Sequence, residues 1–179
     1  SLRATIILWR PLGGVGADTI TAGNAFDTIL GDNGSVEMDA AGLVFKRIES
    51  NVALIGGTVS DLTVGIDTIS TGVGTKIILG GFGADVIKAG TDALGVPVGA
   101  DSNHIILGDN GVVDYNAAGL VVKYQTTDVS AATGGDDVIS TGNGNNTILG
   151  GVGADTITTA NNSTNGTDTM IGDNGSVEM

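Results

Sequence analysis

The nonapeptide "GGVGADTIT" occupies Gly13–Thr21 and recurs unchanged at Gly150–Thr158, while a close variant, "GGFGADVIK", occupies Gly80–Lys88. Each copy has glycine at positions one, two and four, aspartate at position six and isoleucine at position eight. Less regular copies flank these three, and the blocks that they form recur about every 70 residues, as from Asp67 to Asp137. Internal repetition of this kind is typical of a repeat architecture rather than of an ordinary globular domain.

The composition favours the same conclusion. The 179 residues include 31 glycines and no cysteine, and 41% are hydrophobic but only 3% aromatic. This is too rich in glycine for an ordinary packed domain and too apolar for a disordered linker, so we predict an all-β fold. The net charge of −13 argues against nucleic acid as a partner and favours a metal cation. No apolar run approaches the roughly 18 residues of a membrane span, so we expect no membrane insertion.

The repeat blocks divide the chain into four predicted segments. These are residues 1–12, the end of a preceding repeat or a junction; residues 13–61, the first block, with a β-hairpin at 34–50; residues 62–131, the second block, with a hairpin at 111–127; and residues 132–179, a shortened third block. The phrase "GDNGSVEM" occurs at Gly31–Met38 and again at Gly172–Met179. We therefore expect the chain to be part of a longer array.

Within each nonapeptide, the first six positions predict a turn and the last three a strand whose position-eight side chain points into a core. The predicted core residues are Ile20, Ile29, Ile69, Ile78, Ile87, Ile106, Ile139, Ile148 and Ile157. Two nonapeptides make one coil, so alternate units stack on the same side at about the 4.8 Å spacing of paired strands.

This stacking collects acidic side chains in a column along one side of the coil, which we call side A. Its position-six residues are Asp18, Asp67, Asp85, Asp137 and Asp155. Two carboxylates about 5 Å apart repel by roughly 3 kcal/mol at an effective dielectric constant of 20, and a hard dication between them relieves that repulsion. Backbone carbonyls of the turns, at Gly13, Gly80, Gly150 and their neighbours, are available to complete an oxygen ligand set.

The units resemble the glycine-rich nonapeptides of RTX proteins, GGxGxDxUx with U a large aliphatic residue. Three units match that pattern fully, several match in part, and the resemblance covers roughly two-thirds of the chain. It implies an RTX-type parallel β-roll or β-helix solenoid, with projecting hairpins, that binds Ca²⁺. In RTX relatives the position-six aspartate and the turn carbonyls hold the calcium, and the resemblance gives this role to the side A aspartates.

Other polar positions leave alternatives open. In the "GDNG" units the acid stands at position two, as Asp32, Asp109 and Asp173, and either closes the last calcium site or belongs to an Asn-Gly bend that ends the turn. The opposite side, side B, has degenerate position-six residues: Asp27, Lys76, His104, Asn146 and Asp168. We expect Asp27 and Asp168 to retain weak calcium sites. Lys76 either supplies a positive charge in place of the metal or is a solvated turn residue, and His104 predicts neither a zinc site nor a catalytic dyad.

An aliphatic column also marks side B, where position nine is Leu30, Leu79, Leu107, Leu149 or Ile171. Either this position turns inward at the corner or something covers it. The two predicted hairpins are candidate covers, and alternation along 43–48 predicts Phe45 and Ile48 on opposite faces. Docking of a hairpin or of this column on a neighbouring chain would produce a fibre or array.

The RTX resemblance implies a structural segment of a large secreted bacterial protein, located at the cell surface or in the matrix. Export by type I secretion would precede calcium-driven folding, and the folded segment would act as a spacer, adhesin or fibre unit. We expect no enzymatic activity, because aspartates in glycine turns lack the apolar pocket that raises an acid's pKa. The alternatives are a threonine-faced ice- or surface-binding solenoid and a secretion or folding module of an RTX enzyme or toxin.

Overall fold

The computed structural model describes residues 12–50, 54–55, 58–59, 65–91, 96, 103–130, 132–160 and 166–179. This part of the chain is all-β, as predicted, and contains no helix. In chain order its strands are β1 (Thr19–Ala22), β2 (Asp27–Leu30), β3 (Gly34–Met38), β4 (Phe45–Ser50), β5 (Leu54–Ile55), β6 (Thr58–Val59), β7 (Thr68–Thr71), β8 (Lys76–Gly81), β9 (Val86–Ala89), β10 (His104–Asp109), β11 (Gly111–Tyr115), β12 (Val121–Thr126), β13 (Val138–Thr141), β14 (Thr147–Leu149), β15 (Thr156–Thr159), β16 (Thr169–Ile171) and β17 (Ser176–Glu178). Among the described residues, no helix has the length and apolar character needed to span a membrane.

Two parallel sheets are built from strands that alternate along the chain. Sheet 1 has the order β1-β7-β9-β13-β15, and sheet 2 has the order β2-β8-β10-β14-β16. Each strand of sheet 1 is followed along the chain by a strand of sheet 2. The chain then returns to sheet 1, either directly or after a hairpin. Side A turns therefore lead from sheet 2 to sheet 1, and side B turns lead back from sheet 1 to sheet 2. We call one strand from each sheet, with its turns, a rung.

The position-eight isoleucines form the core between the two sheets, as the repeat predicts. Eight of the nine are buried, and Ile157 packs partly buried against them. The register stacks these residues on one another, as in the pairing of Ile20 with Ile69 and of Ile139 with Ile87. Isoleucine at a single repeated position thus provides most of the apolar seam, to which Ala89 also contributes.

Glycine is required in the nonapeptide for two different physical reasons. At positions two and four the backbone is left-handed, with φ of 115° at Gly81 and 105° at Gly83, a conformation that glycine adopts without strain. Position one is different, because a Cβ on Gly80 would collide with the carbonyl oxygen of Gly108 and with the carboxylate of Asp85. Gly80 is therefore glycine because the rungs approach one another too closely there for any side chain.

A third, antiparallel sheet covers the outer face of sheet 2. Sheet 3 has the order β17-β12-β11-β4-β3, so the two predicted hairpins, β3–β4 and β11–β12, lie side by side. They pack on the position-nine column, of which Leu30, Leu79, Leu107 and Leu149 are fully buried, through side chains such as Ile48 and Tyr124. The column is thus covered within the chain. An ion pair of 3.0 Å between Arg47 and Asp114 joins the hairpins.

One feature of the hairpins was predicted wrongly. A register shift after Glu37 breaks the alternation opposite β4, and Phe45 and Ile48 both pack in the apolar cluster beneath sheet 3. A β-bulge adds a residue to one strand and thereby moves the following side chains to the other face. Asp114 and Tyr115 show the same shift in the second hairpin.

Parts of the predicted segmentation lie outside the described residues. The junction at residues 1–12 is described only at Leu12, which forms an isolated parallel bridge with Leu30. Most of residues 51–61 also fall outside, apart from the short antiparallel pair β5–β6. The block boundaries therefore stay a prediction.

Substitution of alanine for Gly80 should destabilise the folded, calcium-loaded chain by about 1–3 kcal/mol, the usual cost of overpacking. The added methyl group meets backbone, which cannot move without shifting a whole rung. Gly172→Ala is the matched control, since Gly172 occupies the same position in its unit but has no atom within 4 Å of its ideal Cβ. Urea unfolding of both variants measures the difference, and equal stability would contradict a steric cause.

Candidate calcium sites

The side A aspartates form a hydrogen-bonded ladder that runs across all five rungs. The backbone N–H of Asp67 donates to Oδ1 of Asp85 at 2.8 Å, and the N–H of Asp85 donates to Oδ1 of Asp137 at 2.7 Å. The same bond links Asp18 to Asp67 and Asp137 to Asp155, at 2.8 and 3.0 Å. From the second rung onward, each carboxylate therefore accepts a hydrogen bond from the preceding rung through one oxygen, and this bond keeps the two rungs in register.

The second carboxylate oxygen of every aspartate in this ladder is buried and has no hydrogen-bond partner. These atoms are Oδ2 of Asp18, Asp67, Asp85, Asp137 and Asp155. An ionised oxygen buried in this way costs several kcal/mol unless a cation neutralises it. Five repeats of the same unpartnered atom point to one recurrent ligand site.

Backbone carbonyls lie next to these oxygens. The space where Gly31 would carry a Cβ is bounded by Oδ2 of Asp67 and the carbonyl oxygen of Gly80. Equivalent cradles occur at Gly13, Gly80, Gly108 and Gly150, in each case between the aspartate of the same turn and a glycine carbonyl of the next rung. The absent side chain thus leaves room where two oxygens of different rungs face each other.

Burial weakens several of these acids in the absence of metal. Burial, as the largest cause, and neighbouring carboxylates together raise the pKa of Asp85 to about 9 and that of Asp137 to about 8, although the hydrogen bond from the preceding rung opposes the shift. The pKa values of Asp67 and Asp155 are raised for the same leading reason. The expectation that aspartates in glycine turns lack surroundings that raise an acid's pKa is therefore wrong, because the stacked rungs exclude water.

The position-two acids bind backbone amides of the neighbouring rung. Asp32 Oδ2 accepts from the N–H of Phe82, and Asp109 accepts from the N–H groups of Gly135 and Val152. Burial raises the pKa of Asp32 and that of Asp109 to about 7. Both residues replace the position-two glycine in turns that a hairpin interrupts. Asp173 is exposed.

The glycine that ends "GDNG" serves packing. A Cβ at Gly34 or Gly111 would collide with Leu30 or Leu107, whose side chains lie beneath the start of each hairpin. Neither glycine is among the left-handed glycines of the described chain. The unit is thus the point at which the chain leaves sheet 2 and crosses closely over it.

Among the residues that the structure describes, side B provides no equivalent ladder of unpartnered carboxylate oxygens. Asp27 forms an ion pair of 2.8 Å with Lys76, both of them buried, so the solvated interpretation of Lys76 is wrong. Oδ1 of Asp168 accepts from the backbone N–H and the side-chain amide of Asn146, at 2.9 and 3.0 Å. His104 is buried, and this burial, together with the smaller effect of the positive charge on Lys76, lowers its pKa to about 4. The structure thus gives protein partners to both predicted weak sites.

The donor set of side A fits calcium. Carboxylate and carbonyl oxygens are the ligands of this hard cation, which takes six to eight of them. Among the described residues, no three histidine, cysteine, aspartate or glutamate side chains converge. Each site would therefore take most of its ligands from backbone carbonyls, which the glycine turns supply.

Comparison with known families agrees with this donor chemistry. The sequence model of the RTX calcium-binding nonapeptide repeat (4 copies) matches residues 12–35, 63–93 and 125–160, just over half of the chain. The chain belongs to the RTX repeat family. RTX repeats bind Ca²⁺, which is therefore the cofactor of this chain. No curated protein and no solved structure matches it.

The RTX matches cover all five side A aspartates, whereas Asp109, Asp168 and Asp173 lie outside them. Sequence reasoning found the aspartate column but missed its mode of linkage, in which carboxylates pair with amides of the preceding rung. It also missed the burial of Lys76. The one available signal was that Lys76 stands at position six of a unit that keeps the glycines at positions two and four and the isoleucine at position eight.

The metal-free chain should be most stable in acid. Because folding raises the pKa of Asp85 from an ordinary value of 3.8 to about 9, the folded state binds more protons than the unfolded state between these values. Its contribution is therefore fully present below pH 3.8 and is lost as the pH rises through about 9. Calcium should reverse this trend, because the metal binds ionised carboxylates. Far-UV circular dichroism and urea unfolding from pH 4 to 9, in EDTA and in calcium, would test this. Stability in EDTA that increases with pH would contradict it.

The Asp85→Asn variant should distinguish the roles of the two carboxylate oxygens of Asp85. Asparagine keeps Oδ1 as the acceptor for Asp67 but removes the charge that calcium requires. We expect higher stability in EDTA and at least a tenfold higher calcium concentration at the folding midpoint, equivalent to about 1.4 kcal/mol. Asp114→Asn, on sheet 3, is the control. An unchanged calcium midpoint in Asp85→Asn would argue against Asp85 as a ligand.

Proposed function

We propose that this chain is a calcium-folded structural spacer of a large secreted bacterial protein, and that sheets 1 and 2 form an RTX-type parallel β-roll. The observation that carries the proposal is the column of five buried, unpartnered Oδ2 atoms on side A. Asp18, Asp67, Asp85, Asp137 and Asp155 are the proposed ligands, with glycine carbonyls of the turns. Asp27 and Asp168 are omitted because the first forms an ion pair with Lys76 and the second accepts a hydrogen bond from Asn146.

Calcium would supply neutralising positive charge, and the chain's own residues would do the rest. The Oδ1 atoms keep the rungs in register, and the position-one glycines let the rungs approach closely. Because the ligands come together only in the folded chain, the binding energy of calcium is folding energy. Folding would then follow export into a medium that is rich in calcium, at the bacterial surface or matrix.

The third sheet favours a spacer. From β7 to β16, the chain adds four strands to sheet 1 and four to sheet 2, and the hairpin β11–β12 divides them equally. Each block of about 70 residues thus adds two strands to every sheet and lengthens the structure by roughly 10 Å. A secretion module of an enzyme or toxin would share the calcium-dependent folding but would not need this continuous outer sheet. Adhesion and fibre formation are further roles that such a stiff segment could serve.

An ice-binding or other threonine-ladder function has less support. Threonine columns would have to run along the outer face of sheet 1. The register instead places Val86 and Val138 between Thr68 and Thr156, and Lys88 in the neighbouring column. We also propose no catalytic role, since the buried acids and the water-excluded His104 are accounted for by metal binding and packing.

The test is a calcium titration of the EDTA-treated chain by far-UV circular dichroism, with a parallel magnesium titration and small-angle scattering. We expect a cooperative gain of β signal between micromolar and millimolar calcium, with compaction, and little response to magnesium. Magnesium is the informative control because it requires near-octahedral geometry and keeps its own water. A chain that is equally folded in EDTA and in calcium would overturn the proposal.

A further inference from the structure

The ammonium group of Lys76 is enclosed by oxygen atoms on side B. Its Nζ lies 2.8 Å from Oδ2 of Asp27, 2.9 Å from the carbonyl oxygen of Gly23 and 3.1 Å from that of Val73. It also donates to the carbonyl oxygen of Ala25. The Lys76 side chain is 0% exposed, so these oxygens replace its whole hydration shell.

This ligand set has the chemistry of a calcium site. One carboxylate and three turn carbonyls converge on a single positive charge, as hard oxygen ligands do around a cation. Three of the four oxygens come from the first rung, and Val73 belongs to the second rung together with Lys76 itself. The ammonium therefore joins two rungs, as a metal ion bound between them would.

The repeat shows why a lysine can reach this place. Lys76 begins β8 at position six, where side A units have aspartate, and it pairs in register with Asp27. A position-six side chain points into the turn, so a long side chain carries its charge to the centre of the turn carbonyls. The ammonium has three N–H donors, which the three carbonyl oxygens and the Asp27 carboxylate share.

The later rungs of side B also use donors from the chain. The backbone N–H of His104 donates to Oδ1 of Asn146 at 3.2 Å. The amide of Asn146 in turn donates to the carbonyl oxygen of Gly142 and to Asp168. Side A has no such donor for its Oδ2 atoms within the described residues. The two sides thus satisfy similar oxygen sets by different means.

We propose that Lys76 is a built-in cation that occupies the side B counterpart of a calcium site, so that one edge of the roll is held together without metal. This rests on the proposed function, in which side A binds calcium. Because the ammonium is covalently attached, it does not dissociate when calcium is withdrawn. The first two rungs then stay joined along side B in low calcium and provide a preformed base on which calcium closes side A.

Two variants test the proposal. Lys76→Met keeps an unbranched side chain that is one atom shorter, removes the charge and leaves Asp27 without its ion-pair partner. Lys76→Asp restores the aspartate of the repeat. Lys46→Met is the control, because Lys46 forms an exposed ion pair on sheet 3. Hydrogen exchange read by mass spectrometry reports on residues 27–30 and 76–81 in EDTA, and isothermal titration with CaCl₂ counts the bound ions.

In EDTA we expect the hydrogen-exchange protection factors of these segments to be at least tenfold lower in Lys76→Met and Lys76→Asp than in wild type. Lys46→Met should keep the wild-type protection factors. Lys76→Asp should bind one calcium ion more than wild type and regain protection in calcium. Unchanged protection in Lys76→Met, or no additional calcium in Lys76→Asp, would overturn the proposal. If Lys76→Met does not fold even in calcium, the calcium count of Lys76→Asp decides alone. A wild-type chain that binds no calcium would instead refute the proposed function, while a loss of protection in Lys76→Met would still support the role of Lys76.

Discussion

The structure depends on a carboxylate that can satisfy only one of its two oxygens within the protein. Along side A, Oδ1 of each aspartate from the second rung onward accepts the backbone N–H of the aspartate before it, while Oδ2 is buried without a partner. The first bond aligns the rungs, and the second oxygen makes that alignment unfavourable unless a proton or a cation is present. In the proposed function, register and metal binding would therefore both depend on the same side chain, and every side A unit has aspartate at position six.

Close approach of the rungs is the condition for this arrangement, and it accounts for the unusual composition. At Gly13, Gly31, Gly80, Gly108 and Gly150, carbonyl and carboxylate oxygens lie where a Cβ would be, so these places exclude every residue except glycine. The glycine positions of these turns carry no side chain, and the core consists mainly of the position-eight isoleucines. The chain therefore has many glycines and few aromatic residues for a single geometric reason.

The sequence predicted those features that follow from the period alone. Stacking of identical units determines which residues are neighbours, so the isoleucine seam and the side A column could be placed before any coordinates were known. Features that depend on a single departure from the repeat could not. A lysine in a turn is ordinarily solvated, and only the positions of four oxygens show that Lys76 is buried. The bulge that turns Phe45 inward likewise depends on the register of two particular strands.

The hairpins show how an array of this kind can keep an apolar outer face out of water. The leucine column of sheet 2 gains one residue for every rung, so a cover must advance by one strand for every rung to remain above it. A hairpin inserted once in every two rungs meets that requirement, because its two strands have the same spacing as two neighbouring strands of sheet 2. Side chains of sheet 3 thereby meet those of sheet 2, as where the Tyr124 hydroxyl lies 3.4 Å from that of Thr147. Insertion of the hairpin at any other interval would leave leucines exposed or force the sheets out of step. The recurrence of "GDNG" about every 70 residues is thus fixed by the geometry of two strands, just as the nonapeptide is fixed by the geometry of one turn.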